Sequence, residues 1–457
     1  MATRKTRPAR ARPTSAVTAA PAVRSARAAP VAPATPDAAF VEAFDGALSG
    51  WFGRHARDLP WRRDRAAYRV WVSEVMLQQT RVATVIAYFE RFLVRFPDLA
   101  ALAAAAEGDV LALWSGLGYY RRARGLHRGA REVVERFGGE LPRTVDELRT
   151  IRGIGAYTAG AVASLAFGVR APLVDGNVMR VFARVFGLEG DIKALGTQRH
   201  VWAIAGAMVE RARAPGPFNE ALMELGATVC VPRDPLCLVC PVRSLCRAFA
   251  DGRQNELPVV GAKKAVPEVH AAALVARKGG EVLLGRRRGD ALFGGLWEPP
   301  MVEGADAPAA EAALQALAPA ARRAGHVRHV LSHRRLEIAV HTGLPAVGAR
   351  FPSLYDVLEF VPEGELGGRG VSTLARKVLA AAEPEGGQGG KAKSAPKKQE
   401  GAAKGAPKQE GEGRGKAKGA PKKQAAQAKG APKRAAGGAS GAKGGRRSAG
   451  SKGGSKG

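Results

Sequence analysis

The sequence predicts an all-α domain followed by a smaller α+β domain, with basic tails at both ends. Three observations carry this. From Phe40 to about residue 250, apolar residues recur at helical spacing and no convincing alternating strand interrupts them. A Pro-, Gly- and Lys-bearing stretch at 254–267 (QNELPVVGAKKAVP) then gives way to short β-branched or alternating runs. Before residue 37 and after residue 382 the composition falls to basic residues, Ala, Gly and Pro, too poor in large apolar side chains to bury a core. The organisation expected is a disordered basic arm over 1–36, a helical domain over 37–253, a linker over 254–267, an α+β domain over 268–382 and a disordered tail over 383–457.

The net charge of +30 over 457 residues points to a polyanionic partner. The first 36 residues hold 7 basic and no acidic side chains, and residues 383–457 hold 19 basic and 5 acidic ones. The two tails thus carry 21 of the 30 excess charges and leave a basic body, so affinity for a polyanion does not depend on the tails alone. The tail repeats Lys-Gly-Ala-Pro-Lys at 404–408, 418–422 and 429–433 and reads as a nonspecific DNA tether. No apolar run approaches the roughly 18 residues of a membrane span, so no membrane association is expected. The arm lacks the apolar core of a secretory signal. Its acid-free, Arg- and Ala-rich start leaves an organelle-transit reading open. The expectation is a cytoplasmic, nucleoid-associated monomer.

Taken in order, the run Val70 to Phe92 is helical in pattern, as is Val110-Leu111-Leu113-Trp114. Val178, Val181, Phe182, Val185 and Phe186 share one helix face. The chain turns on the stretch beginning at Leu148, LRTIRGIGAYTAGAVASLAFGVRAPLVDGNV. Gly153 and Gly155 bracket Ile154 in a tight turn whose N–H groups, ahead of a helix from about Thr158, suit a phosphate. Pro172 interrupts, and Asp175 stands between Leu173-Val174 and Gly176-Asn177, some twenty positions on. A plain alternative is a helical hairpin with Asp175 capping the next helix. In the second half, Val269 to Ala276, Val282 to Gly285 and Leu336 to His341 read as strands, and Leu314 to Ala318 as part of an alanine-rich helix.

All four cysteines, Cys230, Cys237, Cys240 and Cys246, fall in one C-x6-C-x2-C-x5-C cluster. Such clustering argues against a disulfide framework and for a metal site in a reducing compartment. Four closely spaced thiolates suit either tetrahedral zinc or a [4Fe–4S] cube, and spacing alone does not choose.

Together, the cysteine pattern, the hairpin and LVDGNV resemble the endonuclease III superfamily of helix-hairpin-helix DNA glycosylases. Three further segments resemble its MutY branch, the adenine DNA glycosylases: LPWRRDRAAYRVWVSEVMLQQTRVATVIAYFERF from Leu59, LWSGLGYYRRARGLH from Leu113 and FNEALMELG from Phe218. The resemblance is dense over residues 45–250 and thinner to about 380. It implies a [4Fe–4S] cluster on the four cysteines, structural or redox-sensing and not catalytic. It also implies a monofunctional glycosylase that acts on double-stranded DNA and removes adenine mispaired with 8-oxoguanine or guanine in base excision repair.

The residues divide the task. Glu74 lies in an apolar helical run, where desolvation raises a carboxyl pKa and suits a general acid. A buried glutamate paired to an arginine is the plain alternative. The resemblance implies that Glu74 protonates the extruded adenine and then serves the attacking water, while Asp175 stabilises the positive charge growing on the sugar. Tyr157 stands where the bifunctional branch carries a Schiff-base lysine, so little strand cleavage is expected. Asn177 supports the same site. Gln78, Gln79 and Tyr119 match residues that wedge into the emptied stack, and Arg62 and Glu220 match residues lining the adenine pocket.

Residues 268 to about 381 resemble the Nudix-like C-terminal domain of the same family. After GGLWEPP (Gly294 to Pro300) there is no R-E-x-x-E-E run, so nucleotide hydrolysis is not expected and recognition is. The lesion-reading loop of the family is Phe-Ser-His, whereas this chain has Leu331, Ser332 and His333. Pro299 replaces the usual aromatic residue after Trp-Glu. Two rival readings follow from the same motifs. One is an endonuclease III-like glycosylase and lyase, opposed by Tyr157 and by the second domain. The other is a noncatalytic [4Fe–4S] DNA-binding or redox-sensing protein, which would not require Glu74 and Asp175 together.

Overall fold

A computed structural model describes residues 36–262 and 265–383. The expectations for the basic arm and tail fall outside these residues, save for their inner edges.

The first half is helical throughout. Its opening layer comprises α1 (Ala38–His55), α2 (Pro60–Arg63), α3 (Ala67–Leu77), α4 (Val82–Arg95), α5 (Leu99–Ala104) and α6 (Glu107–Trp114). There follow α7 (Arg121–Phe137), α8 (Val145–Arg149), α9 (Ala156–Ala161), α10 (Gly176–Val185), α11 (Leu195–Arg211), α12 (Pro215–Thr228) and α13 (Arg247–Ala250). The Val70–Phe92 run is two helices, because the chain breaks at Gln78–Arg81 and Gln79 takes a left-handed φ of 56°. Side-chain caps set several starts: Asp37 accepts from the Phe40 amide, Asp98 from Ala101 and Thr144 from Glu147. Phe44, Trp71, Phe92, Trp114, Phe182 and Phe218 fill a single core.

The hairpin α8–α9 packs close to α7. A Cβ on Gly153 (φ +87°) would lie 2.7 Å from the backbone of Gly125, so only glycine permits the approach. The helix starts at Ala156, two residues earlier than its pattern suggested, and runs into a wide π-turn at Val162–Ala166. Asn219 on α12 ties this turn down, donating to Ser164 Oγ and to the Ala171 carbonyl, both at 2.9 Å. The segment 171–175 is thereby held extended on its way to α10.

The second half is α+β. One sheet has strand order β5 (Met301–Gly304), β1 (Glu268–Val275), β7 (Arg335–Thr342) and β6 (Arg322–Val330), with β1 and β7 parallel and the other pairs antiparallel. The other is built on β3 (Glu281–Arg287), flanked by β4 (Trp297–Glu298) and β8 (Tyr355–Pro362), with β2 (Arg277–Lys278) at its edge. Helices α14 (Ala307–Leu317) and α15 (Thr373–Ala381) cover the sheets. The segment 254–262 is only in part a connector: Leu257 is buried, and its carbonyl accepts from Arg184 at 2.9 Å.

Candidate active site

Glu74 sits in the last turns of α3, 4% exposed, with Trp71, Val72, Val75 and Met76 buried around it. Its Oε2 accepts a 2.5 Å hydrogen bond from the Tyr157 hydroxyl, which also lies 3.3 Å from Met223 Sδ. Burial pushes the Glu74 carboxyl up to about 7; the Tyr157 bond opposes this, while the charges of Asp175 and Glu220 add to it. Burial likewise lifts the Tyr157 phenol well above its ordinary value, so it stays a donor.

Asp175 is the N-cap of α10. Its Oδ1 accepts from the amides of Asn177 (2.9 Å) and Val178 (2.7 Å), and Oδ2 accepts from Asn177 Nδ2 at 2.8 Å. The cap that the sequence offers as the plain alternative is thus formed, and by the same carboxylate that lines the cleft. Burial pushes its pKa up and the three donated bonds pull it back. Asn177 is held in turn by Arg180, whose Nη2 donates to Asn177 Oδ1 at 2.9 Å and to the Gly226 carbonyl at 2.7 Å.

Both carboxylates open on one cleft of about 510 Å³ between α3, α9, α10 and α12. Arg62, Gln78, Gln79, Tyr157, Asn177 and Glu220 line it as well. Tyr119, Gly153, Gly155, Ser332 and His333 do not. Tyr119 is exposed in the α6–α7 loop, the two glycines lie in the hairpin turn, and Ser332 and His333 are exposed between β6 and β7. Leu331 is half-buried against the core of its own domain.

One wall of the cleft is a charge network that sequence reasoning found only in part. Arg62 donates to Glu220 and Glu224, both at 2.9 Å, Arg57 grips Glu224 at 2.6 and 2.8 Å, and Arg65 reaches Glu220 at 2.5 Å. Burial opposes ionisation of Glu224, but the bonds from Arg57 and Arg62 outweigh it and hold its carboxyl below the usual range. Glu220 and Glu224 are one helical turn apart, the signal that could have paired them. Arg57, Arg65 and Asn219 carried no such signal.

The four cysteines line a second, small void of about 20 Å³. Arg184, 2% exposed on α10, donates to the carbonyls of Val231 (2.7 Å) and Pro232 (3.0 Å) and sits 3.3 Å from Cys230 Sγ. The helix capped by Asp175 is thus anchored to the cysteine loop. Among the described residues, no three His, Cys, Asp or Glu side chains converge on a single metal ion; a [4Fe–4S] cube takes one thiolate per iron and so suits thiols set wider apart around one void.

Residues 72–206 match the family model of the HhH-GPD superfamily base excision DNA repair protein, and residues 271–381 match that of the NUDIX domain. The chain is 50% identical over 246 residues to the adenine DNA glycosylase of Homo sapiens, covering 52% of this chain and 45% of that one. It is 39% identical over 296 residues to that of Arabidopsis thaliana, covering 56% and 46%. The chain is homologous to curated adenine DNA glycosylases. It spans about half the length of these curated relatives. A solved thermostable thymine-DNA glycosylase is also similar, at 29% identity over 46% of this chain and 97% of its own, with a TM-score of 0.42. The chain carries the helical and NUDIX-like halves in the order its sequence predicts, with no strand among the described residues before Glu268.

Proposed function

We propose that the protein is a monofunctional adenine DNA glycosylase, removing adenine mispaired with 8-oxoguanine or guanine. The observation that carries the reading is a buried, proton-retaining Glu74 sharing one cleft with a hydrogen-bonded Asp175.

The reaction follows from these groups. An extruded adenine enters the cleft, at a cost of a few kcal/mol in lost stacking and pairing. Tyr157 holds Glu74 Oε2, which leaves Oε1 to carry the acid proton. Glu74 passes that proton to a ring nitrogen as the N–C1′ bond breaks, so the base departs as neutral adenine. Positive charge develops on the sugar beside Asp175, whose carboxylate lowers that barrier and is fixed by Asn177 and Val178. Water then adds to C1′ and returns a proton to Glu74, leaving an abasic site. With a phenol at position 157, no amine of this hairpin can form a Schiff base and cut the strand.

DNA contacts assigned by resemblance complete the reading. Gln78, Gln79 and Tyr119 enter the stack, the Gly153–Gly155 turn meets phosphate, and Ser332 and His333 read the opposite base. The four cysteines would hold a [4Fe–4S] cluster, in a loop that Arg184 ties to α10. The all-sulfur donor set lining one void supports this assignment. Thiol ligands and a DNA substrate fit a reducing compartment that holds DNA, here the nucleoid-bearing cytoplasm.

Incubating the full chain with 8-oxoguanine:adenine, guanine:adenine and thymine:adenine duplexes tests the proposal. Alkali-labile sites should appear at adenine in the first two, without strand nicking before alkali and without borohydride-trapped enzyme. Trapped enzyme would restore the lyase reading, and absence of base release would restore the noncatalytic one.

A further inference from the structure

Arg122 is the second residue of α7, yet its guanidinium is folded inward. Nη1 donates to the carbonyls of Val75 (2.7 Å) and Met76 (2.9 Å), the two residues after Glu74. Nη2 donates to Gly118 O and Thr80 Oγ1, both at 3.1 Å, and more loosely to Leu117 O at 3.4 Å. The guanidinium also lies over the rings of Trp114 (5.4 Å) and Tyr119 (5.6 Å). No carboxylate pairs with it among the described residues, and its Nε is buried without a partner. Burial pulls its pKa down to about 10.

The C-terminal carbonyls of α3 form the negative end of that helix, which compensates the buried cation. A planar fork of five donors is the one side chain able to bridge carbonyls on two separate segments at once. Those segments are the C-terminal end of α3, with the turn behind it that carries Gln78 and Gln79 and is reached through Thr80 Oγ1, and the Gly116–Tyr119 loop, held at Leu117 and Gly118. Each holds a non-glycine residue in left-handed conformation, Gln79 at φ 56° and Tyr119 at φ 49°. Such backbone persists only where its surroundings enforce it.

We propose that Arg122 is a positioning residue, clamping the two segments that enter the base stack to the helix that carries Glu74. Resting on the proposed function, this makes the wedge and the proton donor one rigid unit, so that opening the stack and presenting the acid are geometrically linked. A wedge that is intact in sequence but loosely held loses its leverage on a paired base. It matters less for a base that has no partner to leave.

The test compares single-turnover adenine release by the full chain on two duplexes. One carries adenine opposite 8-oxoguanine, the other adenine opposite a tetrahydrofuran abasic analogue. Because a single-turnover rate does not depend on how much protein folds, the ratio of the two rates isolates extrusion from stability. R122M should slow the paired duplex at least tenfold more than the unpaired one. R122K keeps the charge but not the fork; it should recover only part of the loss, and it carries the comparison if R122M does not fold. With 2-aminopurine in place of the target adenine, the emission rise on binding should shrink in step. Equal slowing on both duplexes, or none, overturns the clamp. Wild-type protein that releases adenine from neither duplex overturns the proposed function, and the clamp with it.

Discussion

The burial that suits Glu74 to the acid role proposed for it also makes it costly. Its carboxyl, ordinarily near 4.5, is pushed to about 7 in the folded protein. Below pH 4.5 it is neutral in both folded and unfolded states and costs nothing. Between about pH 4.5 and 7 the unfolded chain ionises while the folded protein keeps its proton, so up to about 3 kcal/mol of stability is lost by pH 7 and stays lost above it. E74Q keeps an acceptor for Tyr157 and removes the charge. Its melting temperature should exceed that of wild type at pH 8 and match it at pH 4.5, while base release falls by roughly 10²–10⁴. A melting temperature lowered by E74Q at pH 8 would show that Glu74 is not strained by its burial. The sequence made Glu74 legible because a lone carboxylate in VWVSEVML is chemically conspicuous. Arg57 and Arg65 stayed hidden among many arginines, since only the fold brings them against Glu224 and Glu220.

At the scale of elements, the hairpin and the extended segment behind it deliver Asp175. Gly160 allows this close approach: a Cβ there would lie 2.0 Å from the Pro172 carbonyl oxygen. G160A should destabilise the protein by about 1–3 kcal/mol through overpacking and shift the segment that feeds the α10 cap. Urea unfolding checks the first effect and the base-release rate the second; a variant of wild-type stability would mean that the segment yields freely. Helices in the first half were easy to read, since their apolar faces repeat. The break at Gln78–Arg81 was not, because no Gly or Pro marks it and packing enforces it. Strands β6 and β8 were likewise missed: each is at or near a sheet edge, and the Arg- and His-rich face of β6 shows little alternation.

On the scale of the whole molecule, the basic excess of residues 383–457 suits contact with phosphates, which carry no sequence information. Deleting 384–457 should lower affinity for undamaged duplex and flatten its dependence on salt, by about 0.9 in log–log slope for each phosphate that is no longer neutralised, while leaving single-turnover base release unchanged. An unaltered slope would place DNA binding wholly within the described domains. The composition shifts at residues 37, 254 and 383 were legible at this scale because they follow from what a chain can bury. The meeting of Glu74 with Asp175, about a hundred positions apart in sequence, was reached only through resemblance until the fold set them in one cleft. The most direct test of that pairing is single-turnover release of adenine from an 8-oxoguanine:adenine duplex by wild type and D175N. Release by D175N slowed at least a hundredfold, with duplex affinity retained, is the result expected. Release at the wild-type rate would contradict the account.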